Sequence, residues 1–308
     1  MSKRPGDVQA AVMSPAWCGD LFRVGHWSDY IELTKPRVTL LVLVTTLVGF
    51  YLATSGPLKY LALFHTLLGT ALAAAGSATL NQFLERVPDK RMRRTENRPL
   101  PAGRLEPGRA LWFGLFLSLS GLVYLVLMVN WLASLLTLLV LISYLFLYTP
   151  LKQKTSLCTM IGAIPGAIPP MIGWAGARGH LGMEAWTLFL IMFLWQFPHF
   201  LSIAWLYRED YERGGYRMLP LQDETGFITG QQILVYTLAL VPVSLLPTVL
   251  GTTGWIYLAG AIALGLFFLH YGYRAAQSRT TRDARRLLKA SVVYLPALLI
   301  LMVLDKAN

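Results

Sequence analysis

Asn81, Glu85 and Asp89 stand four residues apart, so on a helix they share one slowly drifting face. A carboxylate pair at that spacing can reach a shared divalent cation. Mg2+ typically takes one or two protein carboxylates, several waters and the oxygens of a substrate phosphate. Arg94 and Arg98 repeat the same step a little further on and present planar forks that suit phosphate oxygens. The chemistry this run suits is joint binding of a metal ion and a phosphorylated ligand. A solvated, arginine-rich loop would account for the arginines but not for the alignment of Asn81, Glu85 and Asp89. Pro88 interrupts the run and is expected to kink or end the helix one residue before Asp89.

Other groups carry weaker signals. Residues 207–213, Tyr-Arg-Glu-Asp-Tyr-Glu-Arg, form a second acid cluster centred on Asp210. Two such clusters facing each other can hold metals around one diphosphate, although short mixed-charge loops are commonplace. Lys152 and Lys154 follow Tyr148 and act either as diphosphate contacts or as topology determinants. His199 lies in the apolar segment Trp-Gln-Phe-Pro-His-Phe at 195–200. An imidazole inside a membrane helix is a functional candidate, with haem iron one ligand it suits; a hydrogen-bonded packing histidine is the alternative. His65 and His270 show no polar neighbourhood and are expected to pack. The chain has no nucleotide-binding glycine loop, zinc motif or nucleophile elbow in a credible context, which disfavours ATP-driven chemistry.

The elements that must position these residues are membrane helices. Of 308 residues, 55% are hydrophobic and 14% charged, against about a quarter charged in soluble domains. Nine apolar blocks approach the ~20 residues that span a bilayer: 38–54, 60–84, 110–129, 131–147, 156–177, 185–206, 233–252, 255–273 and 287–304. The expected fold is all-α and polytopic, with nine transmembrane helices around a central cavity opening to cytoplasmic loops. With the N-terminus in the cytoplasm, every Lys and Arg except Lys59, Arg178 and Lys306 falls on the cytoplasmic side, as the positive-inside rule requires. The net charge of +11 is therefore mostly topological, and no nucleic-acid footprint is seen.

Residues 1–37 read as a short, loose cytoplasmic arm and 38–308 as one membrane domain. The arm has no cleavable signal and no transit-peptide composition, which points to a bacterial cytoplasmic membrane. Cys18 and Cys158 are too far apart in kind and place to suggest a disulfide or a metal knuckle. The fifth block is interrupted by Gly162, Pro165, Gly166, Pro169, Pro170, Gly173 and Gly176. Such a helix either walls a cavity or packs closely through small residues.

The run at Asn81, Glu85 and Asp89 resembles the Asn-x-x-x-Asp-x-x-x-Asp motif of the UbiA-type intramembrane prenyltransferase superfamily, with Glu at the middle position. Its extension Met92-x-Arg94-Thr95-x-x-Arg98-Pro99 is similar to the protohaem IX farnesyltransferase (haem O synthase) branch. So are Leu33-Thr-Lys-Pro-Arg37, Tyr148-x-x-x-Lys152, Ile168-Pro-Pro-Met-Ile-Gly-Trp174, Trp195-Gln-Phe-Pro-His199-Phe and Met218-Leu-Pro220. One departure stands out. The superfamily's second motif carries paired aspartates four apart, whereas Asp210 is followed at that spacing by Gly214. Either Glu209 or Glu212 substitutes, or Asp210 acts alone, and the second metal is put in doubt.

The resemblance implies transfer of a farnesyl group from farnesyl diphosphate to a vinyl group of haem b, with water addition, to give haem O. It implies Mg2+ near Asn81, Glu85, Asp89 and Asp210, diphosphate contacts from Arg94, Arg98, Tyr148, Lys152 and Arg208, and a haem contact at His199 as axial ligand or general base. A haem A synthase is an implied partner. The nearest rival is a sister enzyme acting on a quinone precursor or chlorin. A rival of another class is a haem- or isoprenoid-binding transporter, which would not need Glu85, Asp89 and Asp210 on one face.

Overall fold

The computed structural model describes residues 26–307. In chain order the helices are α1 (Trp27–Leu33), α2 (Pro36–Ala53), α3 (Tyr60–Arg91), α4 (Pro107–Met128), α5 (Trp131–Ile142), α6 (Thr149–Leu151), α7 (Cys158–Ala167) and α8 (Pro169–Arg178). They continue as α9 (Met183–Leu206), α10 (Arg208–Arg213), α11 (Leu219–Gln222), α12 (Phe227–Val249), α13 (Trp255–Ser278) and α14 (Thr281–Leu304). A π-helical turn, Ser143–Tyr148, joins α5 to α6. Among the described residues nine segments are long and apolar enough to cross a membrane: α2, α3, α4, α5 through α6, α7 with α8, α9, α12, α13 and α14. The protein is an all-α, multi-pass membrane protein.

Helices satisfy every backbone group within one segment, which is what a hydrocarbon interior demands. Leu40, Leu41, Trp112 and Phe116 point outward and are exposed, as lipid-facing side chains should be. Trp174, Tyr257, Phe268 and Tyr294 are buried, and the rings of Phe268 and Tyr294 stack at 4.9 Å. Lipid tails are as apolar as leucine, so helix association rests on close packing. At the α2–α8 contact a Cβ on Gly173 would overlap the Thr46 carbonyl, and one on Gly49 the Pro170 carbonyl. Small residues in α8 are thus a packing device. Further along the same span, Gly162 lies against the Tyr148 ring and helps line a small pocket of ≈ 30 Å³. Close packing and cavity wall, left open by the sequence, divide this span between them.

α3 is the element that presents the site. At 32 residues and ~1.5 Å per residue it is ~48 Å long, well beyond the ~30 Å hydrocarbon core. Its last turns therefore stand clear of the apolar layer. Contrary to the sequence expectation, Pro88 does not end it; the helix continues through Arg91. The donor that Pro88 lacks would have served Leu84, on the exposed side of the helix, and the end is closed by Met92 N–H and Thr95 Oγ1 donating to the Asp89 carbonyl.

Two further expectations need correction. His65 does have a polar neighbour: its Nδ1 lies 2.7 Å from the Tyr124 hydroxyl. The described part of the N-terminal arm is not loose. α1 docks through buried Leu33, which packs with Leu100, Leu105 and Ala110, and through Asp29, 3.1 Å from Arg104. Gln82 on α3 donates to the Leu33 carbonyl at 2.9 Å. The rest of the arm, with Cys18, lies outside the described residues. Cys158 is a buried free thiol.

Candidate active site

Successive turns of α3 place Asn81, Glu85 and Asp89 on one face, with relative exposures of 1%, 6% and 1%. Polar and charged groups that deeply buried need partners, and each has one from a different part of the chain. Lys152 Nζ donates to Glu85 Oε1 at 2.7 Å. Arg98 Nη1 donates to Asp89 Oδ2 at 2.7 Å. Lys35 Nζ donates to Asn81 Oδ1 at 2.9 Å, while Asn81 Nδ2 donates to Thr149 Oγ1 at 3.2 Å. Three cations thus meet two carboxylates, and the cluster carries a surplus of positive charge for an anionic ligand.

Local structure explains how these partners arrive. Lys35 caps α2 with φ 47° and ψ 63°, in the left-handed region. The following Pro36 starts the helix with its preset φ and disfavours the right-handed conformation for the residue before it. Residues held in such sparsely populated backbone cluster at functional sites. Burial, and after it the Arg98 charge, bring the Lys35 ammonium down to about 8. Lys152 follows the π-turn, a feature frequent at functional sites. That turn stacks Tyr144 and Tyr148 at 5.5 Å and puts the Tyr148 ring 4.3 Å from Lys152 Nζ. Burial alone would lower the Lys152 ammonium, but the Glu85 carboxylate and neighbouring tyrosines outweigh it and hold the group above its ordinary value.

Of the residues singled out in the sequence, Asn81, Glu85, Asp89, Arg98, Tyr148 and Lys152 are brought together. Asp210, Arg94, Arg208 and His199 are not part of that cluster. Asp210 on α10 pairs with Arg213 and accepts the Arg93 backbone N–H at 3.2 Å. Burial pushes its carboxyl up, but the Arg213 and Arg93 hydrogen bonds prevail and hold it below the usual range. Arg94 lies over the rings of Tyr211 and Tyr207, at 4.4 and 5.3 Å. Arg208 lines an outer cleft with Arg93 and Arg213. His199 sits in the α9–α14 seam, its Nδ1 2.8 Å from Ser291 Oγ and its ring stacked on Trp195 at 4.7 Å.

Sequence reasoning missed Lys35, Thr149 and Tyr216 as members of the cluster. Lys35 stood inside the Thr-Lys-Pro-Arg segment, but only the fold shows that its ammonium reaches α3. Tyr216, buried and 5.8 Å from Lys152 Nζ, had no signal in its spacing.

The donor set suits a hard divalent cation. Glu85 and Asp89 each engage a cation through one oxygen, and carboxylate and amide oxygens are what Mg2+ prefers. Among the described residues no three His, Cys, Asp or Glu side chains converge, so the set is two carboxylates and an amide.

Residues 42–294 match the UbiA prenyltransferase family. The chain belongs to that family. It is 52% identical over 287 residues to the protoheme IX farnesyltransferase of Solibacter usitatus (strain Ellin6076), covering 90% of this chain and 98% of the relative. The protein of the same name from Koribacter versatilis (strain Ellin345) is 46% identical over 288 residues, 90% of this chain and 93% of its own. Among solved structures, a digeranylgeranylglyceryl phosphate synthase is similar with a TM-score of 0.76 at 16% identity, covering 90% of this chain and 97% of that one. A UbiA homolog from Archaeoglobus fulgidus bound to DMAPP and Mg2+ gives 0.65 at 16% identity, covering 89% and 99%. Members of the family are prenyltransferases, and their fold is the one seen here.

Proposed function

We propose that this chain transfers the farnesyl group of farnesyl diphosphate to a vinyl group of haem b, with addition of water, giving haem O and diphosphate. The observation that carries this reading is the 52% identity, over nine-tenths of the chain, to a protein named for that reaction. The buried cluster supports it. Lys35, Arg98 and Lys152 offer three cations to a diphosphate, with Tyr148 beneath Lys152; Arg94 would add a fourth only by leaving the Tyr211 and Tyr207 rings. Asn81, Glu85 and Asp89 would hold Mg2+, and Asp210 joins them only by releasing Arg213. When bound, the metal ion supplies positive charge against the charge growing on the departing diphosphate.

The farnesyl C1–O bond breaks and its electron pair leaves with the diphosphate. The vinyl π pair bonds to C1, and the new cation beside the macrocycle takes up water and loses a proton, leaving the hydroxyl. The helix interior excludes water until that last step, which protects the allylic cation. His199 is the haem contact in this reading. Its Nδ1 is held by Ser291, so Nε2 is the nitrogen left for the iron. The basic end of the bundle faces the cytoplasm of a bacterial inner membrane, consistent with its lysines and arginines, and a haem A synthase is the enzyme that would take the product.

The test uses purified protein in nanodiscs supplied with haem b, farnesyl diphosphate and Mg2+. Mass spectrometry should find haem heavier by one farnesyl group and one water, absent with EDTA. No such product from haem-loaded protein, with prenylation of a quinone precursor instead, would overturn the assignment.

A further inference from the structure

A cleft of ≈ 510 Å³ opens at the basic end between the close of α9, α10, the segment after α3 and the start of α14. Its size lies within the range of about 300–1,000 Å³ typical of small-molecule sites. Arg93, Arg208 and Arg213 line it together with Trp205, Leu206 and Thr281. Arg213 is taken by Asp210. The side chains of Arg93 and Arg208 make no ion pair among the described residues. Glu209, exposed at the rim, is the other carboxylate on the wall. Two free guanidinium forks beside an indole suit a flat ligand that carries two carboxylates.

Position argues for the same ligand. Leu206 is seven residues from His199 on α9, so the two share a face ~10 Å apart. Ser291, the partner of His199, and Thr281, on the cleft wall, both belong to α14. The cleft is therefore the foot of the seam that holds His199. None of Lys35, Asn81, Glu85, Asp89, Arg98 and Lys152 lines the cleft, and Asp210, on its wall, is turned to Arg213 and the Arg93 backbone.

We infer that this cleft binds the two propionates of the haem acceptor, with Arg93 and Arg208 as their partners. The inference rests on the haem reading of the function. Haem is a flat apolar ring whose ionised groups lie on one edge. A ring that enters beside α9 keeps that edge at the water boundary, where the guanidiniums stand. Its vinyl-bearing side is left to face inward.

The test titrates full-length protein in nanodiscs with haem b and with haem whose propionates are methyl esters, following the Soret band. Wild type should prefer the free acid. Arg93→Gln and Arg208→Gln should each weaken haem b binding about tenfold or more and reduce the preference over the ester, and the double variant should erase it. Unchanged haem binding in both variants overturns the inference. So does a fall in farnesyl diphosphate affinity without a change in the haem preference, which would make the cleft part of the diphosphate site. Loss of retained phosphatidylglycerol alone would assign it to a lipid headgroup and overturn it equally. Wild type that binds neither haem would instead sink the haem reading itself.

Discussion

Lys152 Nζ and Glu85 Oε1 meet at 2.7 Å although their side chains are only 12% and 8% exposed and 67 residues part them in sequence. A buried pair of this kind contributes little net stability, because desolvating both charges offsets their attraction. Its worth is that a cation and a carboxylate are already stripped of water at one point. In the proposed reaction, an incoming metal–diphosphate complex would meet both groups without reorganising the helices.

Breaking that pair should cost far more than deleting it. Glu85→Gln or Lys152→Met alone leaves an unpaired buried charge and should destabilise the protein by about 3–5 kcal/mol. The Glu85→Met, Lys152→Met double variant should regain most of that loss. Thermal unfolding in detergent reads the pattern. None of the three should turn over substrate, so recovered stability without recovered activity would separate the two roles.

Asp89 and Arg98 hold each other at 2.7 Å. Asp89→Asn keeps the shape and most hydrogen-bonding capacity but removes the charge available to a metal ion. Turnover should fall by roughly 10²–10³, the loss typical when one electrostatic contribution to a transition state is removed. EDTA should abolish wild-type activity and added Mg2+ restore it. An Asp89→Asn variant with wild-type turnover would remove Asp89 from the metal-binding set.

Much of this was legible because membrane helices announce themselves. The apolar blocks, the placement of basic residues and the four-residue step of Asn81, Glu85 and Asp89 are local properties of the chain. What stayed hidden was which cation meets which residue of that face. Lys35 reaches Asn81 across 46 residues and Lys152 reaches Glu85 across 67, and no periodicity encodes such pairings. Pro88 misled because its usual effect assumes a helix interior, whereas here it sits in the last turn, where one lost N–H matters little. Asp210 shows the same limit: its type fits the second acid motif, but nothing in its spacing tells that Arg213, three residues on, is the group it pairs with here.

His199 offers a spectroscopic test. Ser291→Ala removes the hydroxyl 2.8 Å from Nδ1 and frees the ring orientation. Haem-loaded Ser291→Ala should show a broadened or shifted Soret band, and His199→Ala should lose the histidine-ligated spectrum altogether. Identical spectra in wild type and both variants would make His199 a packing residue.

Gly173→Ala places a methyl group on the Thr46 carbonyl at the α2–α8 contact. Overpacking of a tight interface typically costs about 1–3 kcal/mol, and here the obstacle is backbone, which cannot rotate away. The melting temperature should drop. A matching Gly179→Ala change is strained for another reason, since Gly179 has φ 74° but open space around it, so its cost should be the smaller steric one of the left-handed conformation, about 1 kcal/mol.

Asp223 supplies the pH dependence. Its Oδ2 accepts the Thr229 N–H at 2.7 Å in the first turn of α12, and its Oδ1 accepts the Thr225 hydroxyl at 3.2 Å. Burial pushes the carboxyl up, but the Thr229 and Thr225 hydrogen bonds prevail and hold it below the ordinary range. A carboxylate with a depressed folded-state pKa stabilises the fold above its unfolded value, about 3.9, and that stability is lost as pH falls through the folded value. Unfolding of wild type should therefore become easier below about pH 4. Asp223→Asn keeps one acceptor oxygen, enough for the Thr229 N–H, and sets an NH2 donor against the Thr225 hydroxyl; it also loses the charge at the helix start, which costs about 0.3–1 kcal/mol at neutral pH. The charge-dependent part of the gap between variant and wild type should close as the pH falls through the folded-state value of Asp223, because the protonated aspartic acid and the amide are then equally uncharged. A gap that persists unchanged at low pH would show that packing, rather than charge, is what Asp223 contributes.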